Sequence, residues 1–110
     1  MKESDSIRLK HILDAIGDIE SFTEDITLSK FQEHRLIRNA TARSFEIIGE
    51  AVAALSEELR KDDEIFPWQD CKDFRNVLIH QYFGIDFQMV YNSVQNDLPV
   101  LKKEVLRLLE

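Results

Sequence analysis

Apolar residues recur at helical spacing along nearly the whole chain, and no segment alternates apolar and polar residues as a half-buried strand does. The first amphipathic helix is predicted to start near Asp5 or Ser6, either of which is a suitable N-cap. A second helix start is predicted at Ser29, which forms a capping-box pattern with Gln32. The apolar positions of the first helix are Ile7, Leu9, Ile12, Leu13, Ile16, Ile19 and Phe22.

The same spacing continues through the middle of the chain. It predicts a long helix from about Leu36 to Leu59, and the segment that follows, RKDDEIFP, has the composition of a loop. Pro67 suits the first turn of the next helix, because the amide hydrogen that proline lacks has no helical partner there. That helix is expected to end near Gly84.

The C-terminal part of the chain predicts one more helical segment, for which Asp86 is a suitable cap. Pro99 must kink or split this segment, because proline removes a backbone donor and its ring clashes with the preceding turn. The whole pattern predicts an all-α protein, an up-and-down bundle of four or five helices in a single domain that spans residues 1–110.

The chain is acidic, with 21 Asp and Glu residues against 14 Lys and Arg and a formal net charge of −7. Because nucleic-acid binders neutralise phosphates, this balance argues against RNA or DNA as a partner. Cys71 is the single cysteine, which excludes an intrachain disulfide and fits a reducing cytoplasm. The N-terminus lacks the apolar core of a signal peptide, and no apolar run approaches the roughly 20 residues of a membrane span. We therefore expect a cytoplasmic protein that does not bind a membrane.

Several polar groups stand inside one apolar segment, DFRNVLIHQYFGID. On a helix, Arg75 and Tyr82 share nearly one face, while Asn76 neighbours His80, so that its amide can orient the imidazole. Arg75 and His80 are about 140° apart around the axis, so one helix alone does not bring them together. The remaining directions, which are expected to anchor this helix in the core, belong to Val77, Leu78 and Ile79.

Arginine and histidine together suit phosphoryl transfer. A guanidinium holds a phosphate with two parallel hydrogen bonds, and an imidazole exchanges protons near neutral pH. RNA cleavage without a metal needs one group to deprotonate the 2′-hydroxyl and another to protonate the leaving 5′-oxygen. A two-fold dimer would place two copies of Arg75 and His80 in one cleft. The spacing alone favours a purely structural role, in which Arg75 binds helix-end carbonyls and His80 is a satisfied core group.

The segment RNVLIHQYFGID resembles the motif of the HEPN superfamily, which is Arg, four residues, His, one residue and Tyr. The likeness is to its HepT-like branch, toxins that are paired with a minimal nucleotidyltransferase antitoxin. It extends along the chain, because RLKHILDAIGDIESF resembles the first helix of that family, FEIIGEAVAALSEELR the second and VYNSVQNDLPVLKKEV the last. The resemblance implies an all-α homodimer whose paired motifs form a composite, metal-independent ribonuclease site.

Carried over by position, the resemblance makes Arg75 and His80 the catalytic pair and Asn76 a supporting residue. It makes Tyr82 both a site residue and the acceptor of AMP groups that the nucleotidyltransferase transfers. An AMP group adds negative charge and bulk beside the cleft, which should repel an RNA phosphate.

The chain departs from the family just before this motif, where KDFRN stands and many relatives have Gly-Met before Arg-Asn. Phe74 can fill the position of the methionine, but Asp73 adds a negative charge that should weaken substrate binding. Glu50 is a further supporting candidate, either as a buried partner that orients Arg75 or as a residue that faces water. Gly49 beside it permits close helix packing, which favours the buried pair.

A local basic strip is predicted on the segment KFQEHRLIRNATAR, where it would lead RNA to the cleft of an otherwise acidic molecule. The alternative is an ordinary solvated helix face. The residues of this strip are Lys30, Arg35, Arg38 and Arg43.

Neither a metal nor a cofactor is expected. His11 and His34 have no short ligand spacing to another histidine or to Cys71, and the chain has no Gly-rich phosphate loop. Cys71 is nine positions from His80 and is expected to be a buried structural residue rather than a nucleophile.

Two functions remain open on the sequence. The first is a metal-independent endoribonuclease toxin of a type VII-like toxin–antitoxin system, which cleaves RNA at a composite dimer site and is neutralised by AMPylation of Tyr82. The second is a non-catalytic helical module that binds a nucleotidyltransferase and is modified by it. The sequence does not distinguish tRNA from mRNA as the target.

Overall fold

The computed structural model describes all 110 residues and contains seven helices and no strand, which confirms the all-α class. The structure has more helices than the predicted four or five. Two short helices are separate from the long helices of the prediction, and the C-terminal helical segment is divided in two. None of the helices is long and apolar enough to cross a lipid bilayer. The helices are α1 (Glu3–Thr23), α2 (Leu28–Glu33), α3 (Arg35–Ala53), α4 (Glu57–Asp62), α5 (Trp68–His80), α6 (Phe87–Asn96) and α7 (Leu98–Leu109).

Helix α3 lies at the centre of the bundle, with α1 packed on one side and α5 on the other. Helix α7 packs on α1 and on α6, and α6 also holds α2. The core side chains are fully buried, and each contributes about 1.5–3 kcal/mol of hydrophobic stabilisation. They include Leu9, Ile12, Ile16, Ile19, Phe31, Val52, Leu78, Val90 and Val105. The position of α5 is therefore set mainly by α3.

Two predicted helix starts are wrong. Helix α1 begins at Glu3, so that Asp5 and Ser6 lie within it and cap nothing. Helix α2 is capped by Thr27, whose hydroxyl accepts a 3.2 Å hydrogen bond from the amide of Lys30, and not by Ser29.

The predicted helix from Leu36 to Leu59 is broken after Ala53, and the cause lies in a distant residue. Asp5 is 2 % exposed, and its carboxylate accepts a 2.8 Å hydrogen bond from the amide of Ser56 and a 2.6 Å one from its hydroxyl. The hydroxyl of Ser56 in turn accepts from the amide of Leu59 at 3.1 Å, which caps α4. The start of α1 thus fixes the break between α3 and α4.

The segments around the polar motif follow the sequence more closely. Pro67 immediately precedes α5, as expected, but α5 ends at His80 rather than near Gly84. The amide of Gly84 donates to the carbonyl of Gln81 at 2.9 Å and closes a turn there. The carboxylate of Asp86 accepts hydrogen bonds from the first amides of α6, which confirms the predicted cap.

Pro99 acts as predicted. Helix α6 ends at Asn96, α7 begins at Leu98, and Pro99 occupies the first turn of α7, where its missing amide hydrogen has no cost.

Candidate active site

Helices α3 and α5 are in close contact at Gly49 and Arg75. A Cβ atom on Gly49 would overlap Cβ of Arg75, and it would lie 2.8 Å from Cγ of Arg75 and 3.0 Å from the carbonyl oxygen of Cys71. The close packing that Gly49 was expected to permit is therefore present. It fixes the stem of the Arg75 side chain against the backbone of α3.

The guanidinium of Arg75 is held by its neighbour in sequence. Its Nε donates a 3.0 Å hydrogen bond to Oδ1 of Asn76. The interpretation in which Asn76 orients His80 is thus wrong for this structure, because the amide oxygen is directed to Arg75.

Glu50 does not pair with Arg75. Its side chain is 50 % exposed, and its carboxylate lies 3.6 Å from Nη1 of Arg43. The buried Glu50–Arg75 pair is therefore wrong, and the alternative in which Glu50 faces water holds. No carboxylate forms an ion pair with Arg75, so the guanidinium keeps its positive charge available for an anion.

His80 is the last residue of α5 and is exposed. The side-chain hydrogen bonds within α5 join Gln69 to Asp73 and Arg75 to Asn76, and the imidazole takes part in neither. His80 is therefore not the satisfied core group of the structural interpretation. Its imidazole is open to a proton donor or acceptor from outside the chain.

Tyr82 lies beyond the end of α5, in the turn that leads to α6. The expectation that it shares a helix face with Arg75 fails, because the helix ends at His80. The side chain of Tyr82 is 77 % exposed, and its ring packs edge to face against Phe83, with centroids 4.9 Å apart and planes at 72°. The phenol is accessible from solvent.

Only one of the three apolar residues between Arg75 and His80 anchors α5 in the core. Leu78 is buried, whereas Val77 and Ile79 are 37 % and 43 % exposed. The prediction that all three are core residues is therefore wrong. One signal in the sequence was available, because three consecutive apolar residues point around a helix and cannot all face one core.

Exposed apolar side chains consequently surround the polar motif. Val77 and Ile79 lie on different sides of the exposed face of α5, with Asn76 and His80 between them. Exposed apolar side chains beside polar ones suit contact with another molecule. We call this set the motif patch, and its residues are Val77, Ile79, Tyr82 and Phe83.

The predicted basic strip is divided. Arg38 donates to the carbonyl of Gln32 at 2.6 Å and lies over the ring of Phe87, 4.7 Å from its centroid. The Nη1 atom of Arg43 lies 3.1 Å from the carboxylate of Glu46 and also pairs with Glu50. These two arginines are occupied within the protomer, and the exposed remainder of the strip is Lys30 and Arg35.

Cys71 lines an apolar cavity of about 370 Å³ between α3, α5, α6 and α7. Burial raises the pKa of its thiol to about 11, and the nearby carboxylates of Asp70 and Asp97 add to this effect. Such a thiol carries little thiolate near neutral pH, which fits the expected structural role.

The two residues before Arg75 have separate local partners. Phe74 packs edge to face against Phe45, with ring centroids 5.1 Å apart. The carboxylate of Asp73 accepts a 2.9 Å hydrogen bond from Gln69.

Comparison with known proteins assigns the chain to a family. The family model described as "Ribonuclease HepT-like" matches residues 12–108. A Methanocaldococcus jannaschii protein that is named as a candidate RNase, MJ1380, is 40 % identical over 97 residues, which are 88 % of this chain and 89 % of that protein. A Thermococcus cleftensis protein named probable ribonuclease HepT is 35 % identical over 102 residues, 93 % of each chain.

A third relative is longer. The M. jannaschii protein MJ0434, named as a gamma-glutamylcyclotransferase and candidate RNase, is 37 % identical over all 110 residues, and the chain spans half of its length. No solved structure matches the chain significantly. The family match covers most of the chain, including the whole polar motif, and the chain belongs to the HepT-like ribonuclease family of the HEPN superfamily.

Proposed function

We propose that this protein is a metal-independent endoribonuclease whose active site is completed by a second copy of the chain. The observation that supports the proposal is that α5 carries both a positioned Arg75, which is free of any carboxylate, and an exposed His80, with residues of the motif patch beside them in the chain. A dimer formed through Val77 and Ile79, the part of this patch on α5, would bury these two side chains and bring two copies of each group together, with Tyr82 and Phe83 left at the edge of the contact.

The chemistry follows from these groups. One His80 imidazole accepts the proton of a ribose 2′-hydroxyl, whose oxygen then attacks the adjacent phosphorus. The second imidazole donates a proton to the 5′-oxygen as the bond from phosphorus to that oxygen breaks. The Arg75 guanidinium groups bind the non-bridging oxygens, where negative charge increases in the transition state. The products are a 2′,3′-cyclic phosphate and a 5′-hydroxyl.

In this proposal the ribonuclease activity is regulated by modification of Tyr82. Its exposed phenol is available to a partner nucleotidyltransferase, and AMP transfer would add a phosphodiester charge and a nucleoside next to His80. This modification would exclude the RNA phosphate from the cleft. The protein would then be the toxin of a toxin–antitoxin pair in which the transferase is the antitoxin.

The test of catalysis is RNA cleavage in EDTA. The variants Arg75→Ala and His80→Ala should each lose about 100-fold or more in rate, the usual cost of a lost acid–base or electrostatic group. His11→Ala removes another exposed histidine, from α1, and should cleave as the parent does. Undiminished cleavage by both site variants would refute the proposal.

The test of the shared site is a charge placed in the motif patch. Ile79→Glu should turn a dimer into a monomer in light scattering and abolish cleavage, because a carboxylate resists burial in an apolar interface. Leu106→Glu is the matched control, since Leu106 on α7 is exposed to a similar degree, 46 % against 43 % for Ile79. A monomeric parent with full activity would contradict the composite site.

One observation favours the alternative of a non-catalytic interaction module. The chain is acidic, and two of its four candidate RNA-binding cations are occupied by local partners. This module would accept AMP on Tyr82 and bind the transferase tightly without cleaving RNA. Expression without the transferase separates the two functions, because only the ribonuclease arrests growth in a way that requires His80.

A further inference from the structure

Phe83 is the most exposed aromatic residue in the chain. Its side chain is 87 % exposed, although it follows Tyr82 in the turn next to the end of α5. The turn is not loose, because the amide of Gly84 donates to the carbonyl of Gln81 and the amide of Gln81 donates to the carbonyl of Val77, at 2.9 and 3.0 Å. Tyr82 supports the ring from one side, edge to face. The chain thus presents an aromatic surface to solvent three residues after His80.

We propose that Phe83 stacks on a nucleobase of the RNA next to the phosphate that is cleaved, and that the substrate is therefore single-stranded at this point. This inference rests on the proposed ribonuclease function. In an RNA duplex each base face is already covered by its neighbours, whereas unpaired bases can be splayed out and stacked on aromatic side chains.

The charge of the molecule favours a contact that does not depend on electrostatic attraction. The chain carries a net charge of −7, and Arg38 and Arg43 are held by Gln32, Glu46 and Glu50. Outside the Arg75 site, the candidate strip therefore leaves only Lys30 and Arg35 to attract the phosphate backbone. Base stacking does not depend on net charge. It can therefore give an acidic ribonuclease the affinity for RNA that a basic surface gives to other RNA-binding proteins.

A second copy of the chain is the competing occupant of this surface. The aliphatic residues Val77 and Ile79 lie on the helix itself and suit contact between protomers. Phe83 stands beyond the helix end and is about twice as exposed as either. Its position on the turn and its high exposure suit a base that enters the cleft from outside.

Binding measured without cleavage tests the proposal. In the His80→Ala background, fluorescence of a single-stranded RNA with one 2-aminopurine should be quenched on binding, with Kd about tenfold weaker in Phe83→Leu and near the parent value in Phe83→Trp. Leucine keeps the apolar bulk but lacks the aromatic face. Ile65→Ala is the matched control, because Ile65 is 96 % exposed and lies outside the motif patch.

Two further readouts separate the outcomes. With His80 intact, Phe83→Leu should raise KM while changing kcat less than about twofold, since stacking is made in both the ground state and the transition state. Light scattering should show an unchanged dimer. If the leucine and tryptophan variants bind RNA with equal affinity, the stacking proposal is overturned and the ribonuclease proposal is not. The same conclusion follows if the leucine variant loses the dimer together with RNA binding. A parent that binds no RNA would overturn the ribonuclease proposal as well.

Discussion

Gly49 and Arg75 touch across the interface of α3 and α5 with no room for a methyl group between them. The central helix of the bundle therefore positions the arginine through backbone contact, and not through an ion pair. The contact also leaves the guanidinium free of a carboxylate, as an anion-binding role requires. The glycine is thus part of the support of the site although it contributes no functional group.

A methyl group at this position should harm both stability and activity. Gly49→Ala forces α3 and α5 apart, and we expect the free energy of unfolding to fall by about 1–3 kcal/mol, as overpacked cores do. Displacement of Arg75 should reduce RNA cleavage by about tenfold or more in the fraction that remains folded. Urea denaturation and the cleavage rate measure the two effects.

Gly17→Ala is the control for this substitution. Gly17 also lies within a helix, α1, but a Cβ atom there meets nothing within 4 Å. The change should stabilise the protein by about 0.5–1 kcal/mol, the ordinary helix preference of alanine over glycine, and leave cleavage unaltered. Similar destabilisation by both alanines would show that contact with Arg75 is not the cause.

Asn76 is expected to act through Arg75. Asn76→Ala removes the acceptor of the 3.0 Å hydrogen bond from Nε, and kcat/KM should fall by about three- to tenfold because the guanidinium loses a fixed orientation. Asn92→Ala, at an exposed asparagine of α6, should have no such effect. Wild-type kcat/KM in Asn76→Ala would show that the hydrogen bond does not position the arginine.

The buried carboxylate of Asp5 should be a large local contributor to stability. Asp5→Ala leaves the amide and hydroxyl of Ser56 without their acceptor, at a cost of about 2 kcal/mol. Asp14→Ala, at an exposed position of the same helix, should stay within about 0.5 kcal/mol of the parent. In a double-mutant cycle with Ser56→Ala, the combined loss should be smaller than the sum of the single losses. An additive result would mean that the two residues are not coupled.

The thiol of Cys71 gives a pH-dependent prediction. Burial raises its pKa from an ordinary 9.0 to about 11, so between these values the unfolded chain releases a proton that the folded chain keeps. Stability should therefore fall as pH rises from 9 to 11, relative to a Cys71→Ala variant. At pH 8 the folded protein should also react with iodoacetamide far more slowly than the urea-unfolded chain. Equal alkylation rates in the two states would contradict the buried thiol.

Local signals in the sequence predicted the elements around the site, and distant contacts explain the failures. Pro67, Asp86 and Pro99 act on their own neighbours, so their effects were readable from the chain. The break after α3 was missed although Ser56, which caps α4, is a local signal; its hydrogen bonds with Asp5, 51 positions away, are not readable from helical spacing.

The chemistry of the motif was identified by resemblance, and its geometry was only partly predictable. Helical spacing does not reveal which apolar residues of α5 face a core and which face solvent, so the exposure of Val77 and Ile79 was missed. The pair of Arg43 with Glu50 was readable, because residues seven positions apart on one helix share a face, but we expected a contact of Glu50 with Arg75 on another helix.

The end of α5 at His80 has a consequence for any enzyme that modifies this protein. A side chain inside a helix must be released by local unwinding before a transferase can enclose it, and that costs free energy on every encounter. Tyr82 lies beyond the last hydrogen bonds of α5. A transferase can therefore bind its phenol while α5 keeps Arg75 and His80 in place. An inhibitory group could thus be attached to Tyr82, or removed from it, while the protein stays folded. Arg75 and His80 would keep their arrangement in the modified protein.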